Sequence, residues 1–362
     1  GYSVSLSSDG NTVAIGAPEN NNLGDTTGHV RIYNWNGSSW LQRGQDIDGE
    51  ATNDQSGYSV SISSDGNILA IGAPQNNGNL TPSDTLPPGI SPNQNYVGHT
   101  RIYYWSGSSW LQRGNDIDGD GTDNELSGSS VSISNDGNVV AIGAPEWINS
   151  NIISGYNMRT GNVKIYYWNG YYWMSRGTID GHSLNGSCGK TVSLSSYGNT
   201  LAIGYPGDDG NGNDAGLVRI FDRSGSGGSW TQRGQDIEGE SANDFSGHSV
   251  SISSDGNTVA IGAKGNQGNG NYSGHVRIYD WNGSSWLQRG QDIEGESAGD
   301  QSGYSVSLNS DGNTVAIGAP YNDGNGNSSG HVRLYDWAGT SWIQRLSDLD
   351  GEAQFDQSGY SI

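Results

Sequence analysis

The sequence predicts an all-β chain, a β-propeller of four-stranded antiparallel blades with six repeats in 362 residues, the alternative being a seven-bladed ring of which this chain is a truncated part. Three observations predict it: a repeat that runs the whole length, two hairpin signatures inside each repeat, and a composition too polar for one conventional core. The repeat appears when Gly1, Gly57, Gly128, Gly189, Gly247, Gly303 and Gly359 are set in register, at intervals of 56, 71, 61, 58, 56 and 56 residues. A single propeller over 1–362 then has blades at approximately 1–56, 57–127, 128–188, 189–246, 247–302 and 303–358, with 359–362 beginning a further repeat. Gly accounts for 59 residues and apolar types for 31%, so burial must come from many small, repeated interfaces.

Within the first repeat, residues 2–7 (YSVSLS) alternate, Asp9-Gly10 turns the chain, and residues 12–17 (TVAIGA) alternate again until Pro18 stops them. Residues 29–35 (HVRIYNW) form a third strand, Asn36-Gly37 is a favoured hairpin turn, and Trp40–Arg43 begins a fourth. The first two strands carry Ser, Thr, Ala and Gly on alternate positions, small enough for close approach near an axis. Tyr33, Trp35 and Trp40 suit the wedge that widens between blades with radius. The two-residue period puts Arg31, Tyr33 and Trp35 on one face with Trp40 and Gln42. The aromatic pair recurs at Trp105/Trp110, Trp168/Trp173, Trp281/Trp286 and Trp337/Trp342, while the fourth repeat keeps Trp230.

These residues resemble the FG-GAP repeats that build the seven-bladed propeller of integrin α subunits and of many surface proteins. The resemblance rests on Gly-Ala-Pro at 16–18, 72–74, 143–145 and 318–320, between a Ser-Val strand and a Gly-x-Val-x-Ile/Leu-Tyr strand. Departures are Gly204-Tyr205-Pro206, Gly262-Ala263-Lys264, and Ser56 or its equivalents where the family has Phe. The calcium loop that the resemblance implies between the first two strands has shrunk to residues 8–11 (SDGN).

A formal charge of −22 with 16 basic residues excludes phosphate-backbone binding, so no nucleic-acid partner is expected. No apolar run approaches a bilayer span, and residue 1 lies inside a repeat; a soluble, already trimmed chain without membrane insertion is expected. Cys188 is the one cysteine and takes the place of Ser56, a structural position.

Strand parity divides the loops between two faces. One carries the Asp-Gly and outer hairpin turns. The other carries the loops between strands two and three and the crossings into the next blade, and it holds the acidic residues. The first crossing reads Asp46, Asp48, Glu50 and Asp54, with counterparts at Asp116/Asp118/Asp120, Asp236/Glu238/Glu240/Asp244, Asp292/Glu294/Glu296/Asp300 and Asp348/Asp350/Glu352/Asp356; the third repeat keeps Asp180. Alternating oxygen ligands with Gly suit Ca2+, making Asp46, Asp48, Glu50 and Asp54 metal candidates, along with Asp209/Asn211/Asn213 and Asp323/Asn325/Asn327. The same residue types also build hydrogen-bonded turns, the competing reading.

Two long loops share that face. Residues 76–97 carry Pro82, Pro87, Pro88 and Pro92, and residues 146–160 carry Trp147, Ile148, Ile152, Ile153, Tyr156, Met158 and Arg159. Exposed apolar residues in so polar a chain mark a partner site, or else cover one another. His29, His99, His275 and His331 each open a third strand, a symmetric spread read as structural rather than as zinc ligation. Twelve of the 16 basic residues repeat with the strands and are expected to pair with acids or stack on the Trp and Tyr ladder.

No nucleophile, base and orienting group stand out together, so no catalytic residue is assigned and a non-enzyme is expected. The expected function is an extracellular or cell-surface adhesion and interaction module with a protein or glycan partner. The alternative is a structural building block of a longer appendage, coat or virion fibre, contacting copies of itself, which the partial repeat at 359–362 motivates; a propeller hydrolase or lyase ranks third. Asn36, Asn79, Asn185, Asn271, Asn282 and Asn327 head glycosylation sequons.

Overall fold

In every repeat the alternating segments fold as paired strands. Ser3–Leu6 pairs antiparallel with Thr12–Ala17, which pairs with His29–Trp35, which pairs with Trp40–Gln42. The same order recurs in all six repeats. The computed structural model describes residues 1–362 apart from 22–23, 78–95, 122–123, 149–158 and 226. It is an all-β propeller of six antiparallel four-stranded blades, with no helix among the described residues. Two compact units, Gly1–Lys190 and Thr191–Ile362, contain three blades each.

The Asp-Gly turns are built by their own side chains. Asp9 accepts hydrogen bonds from the Ser7 hydroxyl (2.6 Å) and the Asn11 amide (2.9 Å), and Gly10 supplies the positive φ of 70°. Asp65, Asp136 and Asp255 accept the equivalent pair, and Asp311 accepts the Asn313 amide. The Ser7 bond, then those of Asn11, pull the Asp9 carboxyl down to about 2. At Asp65, Asp136 and Asp255 burial pushes upward, but the Ser and Asn bonds outweigh it and the net shift is downward. A carboxyl whose pKa is lower folded than unfolded contributes stability above the unfolded value, which is lost as pH falls through the folded one. Urea midpoints are therefore expected to hold above pH ~5 and to fall as pH drops from ~4 towards ~2. The Asp65→Asn/Asp136→Asn/Asp255→Asn variant should show a shallower acid decline; an unchanged slope would place its origin elsewhere.

Blades are joined through their first strands. The Ser3 hydroxyl donates to the Gly57 carbonyl at 2.8 Å, and the Ile62 amide donates to the Ser5 hydroxyl at 3.1 Å. Ser59, Ser130, Ser249 and Ser305 repeat the first contact, and Ser61, Ser193 and Ser251 the second. The alternating serines therefore hydrogen-bond one blade to the next, beyond the small size read from the sequence. Residue Gly359 completes this joint for the sixth blade by accepting from Ser305 at 2.7 Å, which gives the partial repeat a role inside its own unit. Behind the joint, Ala14, Val30, Ile32 and Ile47 of the first blade bury against Val60, Ile62, Leu69, Ile71, Tyr103 and Trp110 of the second.

Farther out, Trp35 lies opposite Trp40 and Tyr33 opposite Gln42, so the expected aromatic face forms. Arg43 reaches across to the next blade. Its guanidinium stacks 4.7 Å from the Trp105 ring and donates to the Gly66 carbonyl at 2.6 Å, while the Trp110 indole N–H donates to the Arg43 carbonyl at 2.8 Å. Arg113, Arg233 and Arg289 do the same against the following tryptophans. Room for this is made by breaking the outer strand: Trp40–Gln42 and Ile47–Asp48 pair separately with the third strand. The third blade has one residue fewer between Arg176 and Asp180 than lies between Arg43 and Asp48, and its outer strand runs unbroken over Trp173–Asp180. That deletion is why the third repeat lacks a counterpart of Asp46.

Candidate functional site

The acidic crossings meet the histidines at the blade interfaces. His99 opens its strand opposite Asp118, and its imidazole is 1% exposed. Glu50, leaving the preceding blade, brings Oε2 to 3.8 Å from His99 Nδ1. Asp116 completes a trio whose ligand atoms all lie within 4.8 Å of one another. Arg101, two residues along the strand, places Nη1 3.6 Å from Glu50 Oε1 and anchors Nη2 on the Asp48 carbonyl at 2.7 Å.

The arrangement repeats twice in the second unit. His275 Nδ1 lies 3.9 Å from Glu240 and 3.8 Å from Asp292, and His331 Nδ1 lies 3.8 Å from Glu296 and 3.7 Å from Asp348. Arg277 and Arg333 sit beside Glu240 and Glu296 as Arg101 does beside Glu50. In each group the imidazole is the floor and the glutamate the half-exposed rim.

Burial pushes the His99 and His275 imidazoles down to about 4, with the neighbouring Arg101 or Arg277 adding repulsion and Asp116 or Asp292 opposing. His331 shifts the same way for the same reasons. These histidines are neutral at physiological pH and carry a free lone pair. Burial also raises the Glu50 carboxyl; Arg101 opposes this, and Asp116, Asp54 and Asp118 reinforce it. Glu294 is raised by burial and by Asp292, Glu240 and Asp244.

The reading of the histidines as purely structural is thus incomplete. Their spread around the repeats is real, but each gathers its own carboxylates from two successive repeats, which a search for ligands close in sequence misses. A signal was present: Glu50, Glu240 and Glu296 each precede a repeat with a strand-opening histidine, whereas the third repeat has Asn162 after Asp120 and the fourth Leu217 after His182.

The calcium candidates separate. Asp46 is held by Arg31 through a two-pronged pair and by Gln42, Asp48 lies 4.0 Å from His29, Glu50 joins the next blade's group, and Asp54 accepts the Glu50 and Ala51 amides. Asp209 accepts the Asp214 amide, Asn211 donates to the Gly239 carbonyl and Asn213 to Asp214. Asp323 accepts the Ser328 amide, Asn325 donates to the Gly351 carbonyl, and the Asn327 carbonyl accepts the Phe355 amide. The side chains of Asp54, Asp209, Asn211, Asn213, Asp323 and Asn325 are thus at work stapling loops. In the Asp9 turn, where the family resemblance implies a calcium loop, the carboxylate already serves Ser7 and Asn11.

Of the predicted partner patch, Trp147 and Ile148 are half-buried, Ile148 bridges to Arg159, and Arg159 pairs with Glu146 at 2.6 Å. Ile152, Ile153, Tyr156 and Met158 lie outside the described residues, as does the sequon residue Asn79. Asn36 and Asn282 accept turn amides through Oδ1, and Asn185 adopts a positive φ of 55°. Cys188 is fully buried.

An FG-GAP repeat matches residues 294–335, a span that contains Glu294, Glu296 and His331, and the six-bladed propeller is consistent with it. Among solved structures, the chain resembles a Bacteroides uniformis protein provisionally named a 6-phosphogluconolactonase. The two are 9% identical, with 98% of this chain and 86% of that one covered and a TM-score of 0.61. It also resembles the periplasmic gluconolactonase of Pseudomonas aeruginosa, at 13% identity, with 95% and 84% covered and a TM-score of 0.59. No curated protein matches in sequence. At these identities the likeness is one of fold. It corrects the expectation of a non-enzymatic adhesion module or structural block: the resemblance to integrin-type repeats pointed to adhesion, whereas these two solved structures, which match over nearly the whole chain, carry the names of lactone hydrolases.

Proposed function

We propose that the chain is a hydrolase that opens uncharged lactones on its acidic crossing face. The observation that carries this reading is the repeated grouping of a rim glutamate over a neutral buried histidine, with an aspartate and an arginine beside it. Opening a lactone needs a base to take a proton from the attacking water and positive potential near the carbonyl oxygen. Glu50 is solvent-accessible and its raised carboxyl is a better proton acceptor than an ordinary carboxylate. Arg101 holds a guanidinium 3.6 Å from it. Glu240 with Arg277 and Glu296 with Arg333 offer the same pair. Water adds to the carbonyl carbon as the glutamate takes its proton, the ring C–O bond breaks, and the departing oxygen recovers the proton to give a hydroxy acid. The fold shared with the two gluconolactonases supports the substrate class. A secreted or periplasmic location goes with this reading, supported by the periplasmic relative and the FG-GAP repeat.

The net charge of −22 selects among lactones, since it repels a phosphorylated substrate and helps expel the carboxylate product. Hydrolysis of glucono-1,5-lactone faster than the buffer rate is expected, falling by about 100-fold or more in Glu50→Gln/Glu240→Gln/Glu296→Gln. The 6-phosphorylated lactone should react at least ~10-fold more slowly at low salt, with the gap narrowing as salt rises. No rate above buffer for either substrate would sink the reading.

A further inference from the structure

We propose that the three groups Glu50/His99/Asp116, Glu240/His275/Asp292 and Glu296/His331/Asp348 are binding sites for a first-row divalent transition metal of the zinc kind. The strongest ground is the state of the two histidines in the second unit. His275 and His331 are each 1% exposed, and no hydrogen-bond partner reaches either ring nitrogen. Nδ1 faces two carboxylates at 3.7 to 3.9 Å, beyond hydrogen-bond reach. A buried nitrogen left in that position is costly unless something bridges it to the acids. A cation does so, because an imidazole nitrogen offers a lone pair and both carboxylates offer oxygen.

Geometry and charge agree. Zinc bonds of about 2.0–2.2 Å set neighbouring donors ~3.4 Å apart, so the imidazole–carboxylate spacings of 3.7 to 3.9 Å in the second unit need a contraction of about half an ångström. Donors spread to the 4.8 Å limit of each group need about 1.4 Å, which falls to the half-exposed glutamate side chain. Each group carries two carboxylates against one guanidinium, and in the fifth blade the buried Glu294 Oε2, itself without a hydrogen-bond partner, adds further negative charge. The nitrogen ligand separates these sites from calcium and magnesium, which favour all-oxygen sets.

The third blade supplies an internal comparison. There Asn162 replaces the histidine, and the Lys164 ammonium sits 2.7 Å from Asp120, the counterpart of Glu50. Lys164 stands where the three groups have Arg101, Arg277 or Arg333, and it closes on its carboxylate more tightly than their 3.5 to 3.7 Å. Because the glutamate comes from one blade and the histidine and aspartate from the next, a bound ion would tie neighbouring blades together.

The glutamates are the same ones that act as bases in lactone hydrolysis, so metal binding is read by stoichiometry, separately from turnover. Chelator-stripped full-length protein is titrated with ZnCl2 by calorimetry and with CoCl2 by visible absorption. The wild type is expected to bind three equivalents more than His99→Gln/His275→Gln/His331→Gln, with each single variant losing one and the cobalt d–d band falling in step. Equal stoichiometry in wild type and triple variant, or displacement of zinc by equimolar CaCl2, overturns the proposal. If circular dichroism shows the histidine variant unfolded, Glu50→Gln/Glu240→Gln/Glu296→Gln, which alters only the exposed rim, decides it by the same count. Zinc binding without lactone hydrolysis, or the reverse, tells the two proposals apart.

Discussion

Gly72→Ala is expected to lower the free energy of unfolding by about 3 kcal/mol, through overlap alone. A Cβ built on Gly72 would stand 2.0 Å from the Gly128 carbonyl oxygen and 2.4 Å from the Ser59 hydroxyl. The carbonyl is backbone and is itself the acceptor of the Ser59 hydroxyl at 2.8 Å, so it cannot yield without opening the joint. Gly16, Gly143 and Gly318 of the other Gly-Ala-Pro segments, and Gly262 of Gly-Ala-Lys, face the same obstacle, which makes this Gly a packing requirement rather than a turn residue. Gly227→Ala, with nothing within 4 Å, should change stability by less than about 0.5 kcal/mol. Urea unfolding of the two variants checks the contrast; equal midpoints would mean that the blades can separate at this point without cost.

Trp286→Ala is expected to cost about 4 kcal/mol. The side chain is 2% exposed, packs under Arg233 with the guanidinium 5.4 Å from its ring, and donates its indole N–H to the Arg233 carbonyl at 2.8 Å. Truncation removes a large buried surface, leaves a cavity between blades and strands that carbonyl. Leu287, the next residue, points the other way and is 53% exposed, so Leu287→Ala should cost less than about 1 kcal/mol. The same urea titration reads both, and an effect at Leu287 as large as at Trp286 would contradict the assignment of the aromatic face.

Much of this fold was legible because its rules are local. Period-two alternation, Asp-Gly turns and the Asn36-Gly37 turn define strands and hairpins from residues close in sequence, and Gly and Trp spacings mark the blades. That the framework cations pair with acids was also legible, but not with which: Arg31 and Arg219 take Asp46 and Asp236 of their own repeat, while Arg101, Arg277 and Arg333 take the glutamate of the preceding one. The third repeat's missing acid was visible as well, although its consequence, an unbroken outer strand, was not.

The candidate site was less legible because its parts are distant in sequence. Asp46, Asp48, Glu50 and Asp54 look like one ligand set on the page. In the fold Asp54 caps its own turn, Asp46 is neutralised by Arg31, and Glu50 turns to the next blade. Conversely Glu50, His99 and Asp116 look unrelated, and only blade-on-blade packing makes them neighbours.

The sequence by itself determined the strands, their turns, the six repeats and the acidity of one face, because each follows from side-chain periodicity or from charge; whether the repeats belong to a ring of six or seven it left open. The tertiary structure decided which acids face a histidine and which staple a loop. It also decided that the serines of the first strands are links between blades, and that the strand-opening histidines are buried and neutral. Those properties depend on what a neighbouring repeat places within a few ångströms, and on the desolvation that neighbour imposes.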